Sequence, residues 1–122
     1  MESRRILIVE DDAAVALHLS ALVREAGYAV LGPAASVEKA LATIADNPVD
    51  AALLDVNLGG DERVFAAADV LSALRKPFVF VSAYSRNLMP PKYRSRPHVT
   101  KPFASRELLA ILAEAISHPA DG

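Results

Sequence analysis

The chain has 122 residues, which is the length of one ordinary domain with a substantial hydrophobic core. Hydrophobic residues make up 52% of it, which argues against disorder, and the formal net charge of −2 gives no general attraction to nucleic acid or to anionic membranes. The absence of cysteine excludes disulfides and thiolate metal sites. The first apolar run, residues 6–9, is too short for a signal peptide or a membrane span. We therefore expect a single cytoplasmic domain, 1–122, with a frayed tail at 118–122.

Short apolar runs alternate along the chain with longer stretches of helical spacing. The runs are rich in β-branched and aliphatic residues, which favours strands buried on both faces of a parallel sheet. They are residues 6–9, 28–31, 51–54, 78–81 and 98–100.

Four helices are predicted from apolar residues that recur every three or four positions. The apolar face of the first lies between Val15 and Ala26, with Gly27 as the stop, and the second follows the capping residue Ser36 and ends before Asn47. The apolar face of the third lies between Val64 and Leu74, before Lys76-Pro77, and that of the last between Leu108 and Ile116, before Pro119.

This alternation predicts an α/β fold with right-handed crossovers and helices on both faces of a parallel sheet. We expect a flavodoxin-like (βα)5 doubly wound sheet in the strand order 2-1-3-4-5. Three prolines between residues 82 and 98 leave little room for a regular helix. The fourth helix should therefore be short or irregular.

Charged residues follow three of the predicted strands. Glu10, Asp11 and Asp12 follow the first strand, Asp55 follows the third, and Lys101 follows the fifth. In a sheet of this order, ligands bind beyond the carboxyl ends of the strands, where strands one and three flank the point at which the order reverses. We therefore expect these side chains to meet.

Clustered carboxylates without cysteine favour Mg²⁺ over zinc. A carboxylate at such a metal also acts as a nucleophile toward phosphorus and forms an aspartyl phosphate. Lys101 would supply a compact positive charge for one phosphate oxygen, and the Ser82 hydroxyl a hydrogen bond for another. Acidic residues also favour helix starts, so Asp12 is equally expected to cap the first helix.

Four segments together resemble the receiver domains of two-component response regulators. They are Ile6-Leu7-Ile8-Val9-Glu10-Asp11-Asp12, Leu53-Leu54-Asp55-Val56, Val81-Ser82-Ala83 and Lys101-Pro102-Phe103. The resemblance covers nearly the whole chain. Residues 32–36 (Gly-Pro-Ala-Ala-Ser), residues 57–60 (Asn-Leu-Gly-Gly) and the proline-rich segment before Lys101 resemble those of small stand-alone receivers with a reduced fourth helix. Such receivers usually have Gly-Tyr-Gly where this chain has Ala83-Tyr84-Ser85.

The resemblance implies a role for each matching residue. Asp55 would be the phosphoacceptor, and Lys101 and Ser82 would contact the phosphoryl group. Glu10 and Asp11 would bind Mg²⁺ with Asp55 itself. The implied metal site is completed by the backbone carbonyl of Asn57, and Ser82, Tyr84 and His98 would be the switch residues.

As a receiver, the chain would accept a phosphoryl group from a sensor histidine kinase or a phosphotransfer protein. Phosphorylation would then switch contacts with a downstream protein through the fourth-helix and fifth-strand region, without an output domain, direct nucleic-acid binding or membrane binding. The chain would not be an enzyme beyond self-phosphorylation and slow autodephosphorylation.

Two alternatives stay open at this point. One is an unphosphorylated interaction module that keeps only the receiver shape. The other is an aspartyl-phosphate phosphohydrolase, which generally needs an acid near the nucleophile where this chain has Asn57. The role of His98 is equally open, because a half-buried histidine at this position has a purely structural explanation.

Overall fold

The five apolar runs form one parallel sheet in the order β2-β1-β3-β4-β5, which confirms the predicted fold. The structure is a computed structural model and describes residues 3–118. Its strands are β1 (Arg5–Val9), β2 (Ala29–Ala34), β3 (Ala51–Leu54), β4 (Phe78–Ser82) and β5 (His98–Thr100). The predicted frayed tail lies outside the described residues apart from His118, whose backbone N–H donates to Glu114 O.

Four α-helices connect or follow the strands, and they are α1 (Ala13–Glu25), α2 (Val37–Asp46), α3 (Phe65–Ala73) and α4 (Ser105–Ser117). The Asp12 side chain caps α1, and the Ser36 side chain caps α2 by accepting from the Lys39 N–H. Gly27 directly follows the C-cap of α1 with a φ of 96°, a conformation that costs glycine little. No helix among residues 3–118 is long and apolar enough to cross a bilayer.

Helices cover both faces of the sheet, and successive residues of each strand point to opposite faces. Leu7 and Val9 of β1 lie in the core formed with α2 and α3. Ile6 and Ile8 lie in the core formed with α1 and α4. The two cores fix the helices around the sheet and leave the carboxyl ends of the strands accessible at one edge.

The burial of two residues and the length of the second strand differ from the sequence predictions. Ala26 and Leu74, expected on buried helix faces, are exposed because each is the C-cap of its helix, where the chain turns away from the core. The second strand was expected at residues 28–31 but extends to Ala34. This strand is at the sheet edge, where Pro33 removes no necessary hydrogen bond, and the Glu10 N–H donates to Ala34 O at 2.9 Å.

Two short 3₁₀ turns, Arg86–Leu88 and Pro91–Tyr93, stand where a fourth crossover helix would lie, which confirms the predicted irregularity. Tyr93 anchors this segment, because its buried ring packs against Phe65, Phe78 and Phe80 with centroid distances of 5.6–5.9 Å. Aromatic packing thus replaces the apolar face of a regular helix.

Candidate functional site

Parallel pairing of β1 with β3 brings the first two acidic positions together. Val9 is in register with Leu54, and the Asp55 N–H donates to Val9 O at 2.9 Å. The next residues along each strand, Glu10 and Asp55, therefore leave the sheet side by side. Burial is deep, with only 2% of Glu10 and 6% of Asp55 exposed.

Asp11 completes a cluster of three carboxylates at this edge. Glu10, Asp11 and Asp55 each offer one oxygen, and the three oxygens lie within 4.8 Å of one another. Asp11 is exposed, so the cluster is open to solvent on one side. Gly59 lies beside it, because a Cβ at this position would be 3.5 Å from Asp11 Oδ2.

Lys101 reaches the cluster from the end of β5. Its Nζ lies 2.6 Å from Glu10 Oε1 and 3.4 Å from Asp55 Oδ2. Burial alone would lower the pKa of Lys101, but the two carboxylates outweigh it and raise this pKa above its usual value. The ammonium is therefore charged and directly paired with both buried acids.

The surroundings of Glu10 strongly affect its protonation. Burial, and to a lesser extent the neighbouring Asp55, raise the pKa of Glu10 to about 7, against the lowering effects of Lys101 and the Asp12 N–H. The ammonium of Lys101 thus does not fully offset the cost of burying the Glu10 carboxylate next to Asp55. A further cation at the cluster would offset more of this cost.

The donor set fits Mg²⁺, which prefers oxygen ligands and takes few carboxylates while retaining water. Glu10, Asp11 and Asp55 supply such oxygens within the span of one ion. Asp12 has another function, since its side chain accepts from the N–H groups of Ala14 and Val15 at 2.9 and 3.1 Å.

Asn57, the other residue predicted at the metal, is exposed in the loop after β3. The loop is closed by an antiparallel bridge between Asn57 and Arg63 and by the Leu58 N–H, which donates to Glu62 O. The Glu62 side chain joins this loop to α2 by accepting from the Val37 N–H at 2.7 Å. Sequence analysis missed Glu62 and Arg63, because neither lies in a motif or on a periodic face.

Ser82 ends β4 and is 1% exposed. The Tyr84 N–H donates to Ser82 Oγ at 3.0 Å, and the Lys101 N–H donates to Ser82 O at 3.2 Å. The hydroxyl proton of Ser82 is then available for another acceptor. Tyr84 itself stacks against Arg63, with the guanidinium carbon 5.8 Å from the ring centroid, and its hydroxyl donates to Leu88 O at 3.4 Å.

His98 is not part of the carboxylate cluster. The imidazole is half-buried on β5 with its centroid 6.3 Å from that of Phe80. Burial, and next the charge of Arg86, lower the pKa of His98. Its buried Nδ1 has no hydrogen-bond partner among the described residues. This residue is thus a neutral side chain between the sheet and the surface at neutral pH.

An open groove of about 640 Å³ lies beside the cluster. It is lined mainly by apolar groups of α1 and of the segment after β5, and Lys101 is among the lining residues. Phe103 stacks on His18 with a centroid distance of 5.8 Å. Leu17, also on α1, is 70% exposed.

Comparison with known proteins agrees with this arrangement. The family model described as response regulator receiver domain matches residues 6–113. The transcriptional regulatory protein PdtaR of Mycobacterium tuberculosis is 27% identical over 117 residues, which cover 93% of this chain and 57% of PdtaR. The chain spans about half the length of the curated relatives it matches.

Two solved structures are similar to this chain over nearly its whole length. The receiver domain of Erythrobacter litoralis PhyR is 28% identical with a TM-score of 0.86, and the match covers 100% of this chain and 96% of that one. SdrG from Sphingomonas melonis Fr1 is 35% identical with a TM-score of 0.82, and the match covers 94% of this chain and 97% of SdrG.

Proposed function

This chain belongs to the response regulator receiver family, and we propose that it accepts a phosphoryl group on Asp55 with Mg²⁺ bound at Glu10 and Asp11. The donor is the phosphohistidine of a sensor kinase or of a phosphotransfer protein. The proposal rests most directly on one observation, which is that Lys101 lies within 3.4 Å of Asp55 in a cluster of three carboxylates. The receiver family is a signalling family rather than a class of ordinary enzymes, so this transfer is part of a switch.

In the proposed reaction, a carboxylate oxygen of Asp55 forms a bond to phosphorus as the bond between phosphorus and the histidine nitrogen breaks. The electron pair returns to the imidazole, which takes up a proton. Bound Mg²⁺ would neutralise charge on the transferring group. Lys101 would move its ammonium from the Asp55 carboxylate to a phosphoryl oxygen, and the Ser82 hydroxyl would donate to another.

The groove between α1 and the segment after β5 is the proposed approach for the donor protein. Lys101 is one of its lining residues and pairs with Asp55, and α1 also carries the exposed Leu17, so an apolar partner surface would bury area near the phosphoacceptor. A kinase or phosphotransfer protein meeting this surface would do so in the cytoplasm.

The proposed output begins at Ser82. If its hydroxyl turns toward the phosphoryl group, the hydrogen bond from the Tyr84 N–H is disturbed. The Tyr84 hydroxyl contacts Leu88 O in the first 3₁₀ turn, so the change reaches the segment before β5. His98 begins β5 directly after this segment and would repack with it. A segment with two arrangements is the physical basis for switched protein contacts.

Intact mass after incubation with acetyl phosphate, with and without Mg²⁺, tests this function. The wild type should gain one phosphoryl group only with Mg²⁺, and Asp55→Asn should gain none. Asp61→Asn is the matched control, because Asp61 is exposed in the neighbouring loop and its loss should leave labelling intact. Labelling of Asp55→Asn, or labelling that ignores Mg²⁺, would contradict the assignment. Absence of any labelling, also with a histidine-phosphorylated donor domain, would favour the unphosphorylated interaction module.

A further inference from the structure

Charge is strongly segregated along this nearly neutral chain. Residues 70–106 contain eight of the 13 lysine and arginine residues and none of the 15 aspartate and glutamate residues. Four of these cations, Arg86, Lys92, Arg94 and Arg96, lie in the segment that replaces the fourth helix. We call residues 86–96 the basic segment. A concentration of one charge within a chain of opposite net charge produces a local positive potential.

Hydrogen bonds to backbone oxygens hold two of these arginines in place. Arg86 Nη1 donates to Arg94 O at 2.7 Å and to Arg96 O at 3.3 Å. Arg94 Nε donates to Met89 O at 3.0 Å. Both side chains are exposed, and none of the described carboxylates forms an ion pair with either. Carbonyl groups satisfy these donors without cancelling their charge, so two positively charged groups are presented in a fixed arrangement.

An apolar groove adjoins the basic segment. It has a volume of about 370 Å³ and is bordered by Arg86 on one side and by α4 on the other. Pro97, Ile111 and Ala115 supply apolar surface, with His98 among the remaining lining residues. Fixed cations beside an apolar groove provide both a charged rim and a hydrophobic centre, which is the usual anatomy of a protein–protein interface.

We propose that the basic segment and this groove together bind an acidic amphipathic segment of a partner protein. Aspartate or glutamate side chains of the partner would face Arg86 and Arg94, and an apolar side chain would enter the groove against Ile111. Such a segment would belong to the downstream partner of the proposed receiver function. The biological role of the binding rests on that function, whereas the binding itself does not.

Protein fits this surface better than nucleic acid does. A nucleic-acid backbone carries a charge at every nucleotide and would have to pass the Glu114 carboxylate that lines the groove, whereas a peptide can place an uncharged apolar side chain there. The rest of the chain has an excess of acidic residues and would repel a long polyanion. An acidic amphipathic segment is short enough to stay on the basic face and has the apolar side chains that the groove accepts.

Phosphorylation should change this binding because Tyr84 connects the carboxylate site with the basic segment. Its N–H donates to Ser82 Oγ, and its hydroxyl donates to Leu88 O. By linkage, the factor by which phosphorylation changes the affinity for the partner equals the factor by which the bound partner changes the phosphorylation equilibrium. The binding itself is testable without phosphorylation, so the two proposals fail separately.

The experiment uses a fluorescein-labelled helical peptide with leucines on one face and glutamates on the other, followed by fluorescence anisotropy. The full chain should bind this peptide, less tightly as salt is added, and should not bind a peptide with lysines in place of the glutamates. When the peptide is titrated into the wild-type protein, the largest changes in amide NMR chemical shifts should fall within residues 86–98 and 108–118. This measurement needs no variant.

Matched variants distinguish binding at the basic segment and its groove from a nonspecific effect of net charge. Arg94→Glu should weaken peptide binding at least about fivefold, whereas Arg24→Glu, the same change on exposed α1, should alter it less than about twofold. Ile111→Gln should weaken binding while Ala113→Gln, on the exposed side of α4, should not. Circular dichroism melts identify any variant that fails to fold, in which case the wild-type shift map decides.

Several outcomes would overturn the proposal. They are no binding of the acidic peptide, amide shifts that map elsewhere, equal effects of Arg94→Glu and Arg24→Glu, or tighter binding of duplex DNA than of the peptide. Concentration-dependent self-association in sedimentation velocity, lost in Arg94→Glu, would instead make a second copy of the chain the occupant. Intact mass of the same samples after acetyl phosphate reports separately whether Asp55 accepts phosphate.

Discussion

Lys101 Nζ lies 2.6 Å from Glu10 Oε1 and is thus closer to this carboxylate than to the proposed phosphoacceptor, Asp55. The ammonium offsets part of the repulsion between two buried acids that parallel pairing of β1 with β3 forces together. It is also within a short side-chain movement of any oxygen added to Asp55. The same cation therefore stabilises the resting cluster and is available to the phosphorylated one.

Lys101→Ala should change Mg²⁺ affinity less than about threefold, because loss of a competing cation and the further rise in the pKa of Glu10 act in opposite directions. The same variant should lose the structural response to phosphorylation, since no ammonium contacts the phosphoryl group. Amide shifts on Mg²⁺ titration and after acetyl phosphate measure the two effects. Lys39→Ala, at an exposed position of α2, is the control, and an unchanged phosphorylation response in Lys101→Ala would refute the role of Lys101.

Mg²⁺ binding should strengthen as the pH rises through about 7. The pKa of Glu10 is raised to about 7 in the folded chain from an ordinary value of 4.5. The folded chain therefore binds a proton at Glu10 more tightly than the unfolded chain does, and the stability that this adds is complete below pH 4.5 and is lost as the pH rises through 7. Without metal, Tm should therefore fall over this range, and Mg²⁺ should restore it most at high pH. Calorimetry in two buffers should detect proton release on binding near about pH 6 and little near about pH 8. Equal proton release at both values would show that Glu10 does not titrate there.

Neighbouring aspartates provide a test that separates the metal site from the fold. Asp12→Ala should destabilise the chain by about 1 kcal/mol because α1 loses its cap, and Mg²⁺ affinity should change little. Asp11→Ala should weaken Mg²⁺ binding at least about tenfold, as loss of a carboxylate ligand would, with a free energy of unfolding close to that of the wild type. Urea unfolding and Mg²⁺ titration of both variants are the measurements. An exchange of the two effects would mean that the cap and the ligand are wrongly assigned.

The parallel sheet was predictable from simple periodicity, and the meeting of Glu10 with Asp55 then followed from the flavodoxin-like strand order expected for it. Apolar runs that alternate with helical spacing determine a parallel sheet, and the sheet order then determines which strand ends meet. The preference of Lys101 for Glu10 over Asp55 was not predictable, since it depends on side-chain geometry after folding.

Two other features escaped sequence analysis for different reasons. Gly32 and Pro33 are typical of a loop, so the end of β2 was missed, although an edge strand tolerates both residues. Glu62 bonds to the start of α2 across 25 positions, and nothing in local sequence marks a contact of that range. Sequence periodicity gives no information about long-range polar contacts of this kind.

Tyr93 combines the aromatic anchor of the basic segment with a polar contact, because its hydroxyl donates to Asp69 Oδ1. Burial, and next the Asp69 carboxylate, raise the pKa of Tyr93 to about 12. Tyr93→Phe keeps the ring but loses this bond, and should lower the free energy of unfolding by about 1 kcal/mol. It should also increase amide exchange within residues 86–96, whereas Tyr28→Phe, outside the segment, should not. Unchanged exchange in Tyr93→Phe would mean that ring packing alone orders the basic segment, and that the Asp69 contact adds nothing to it.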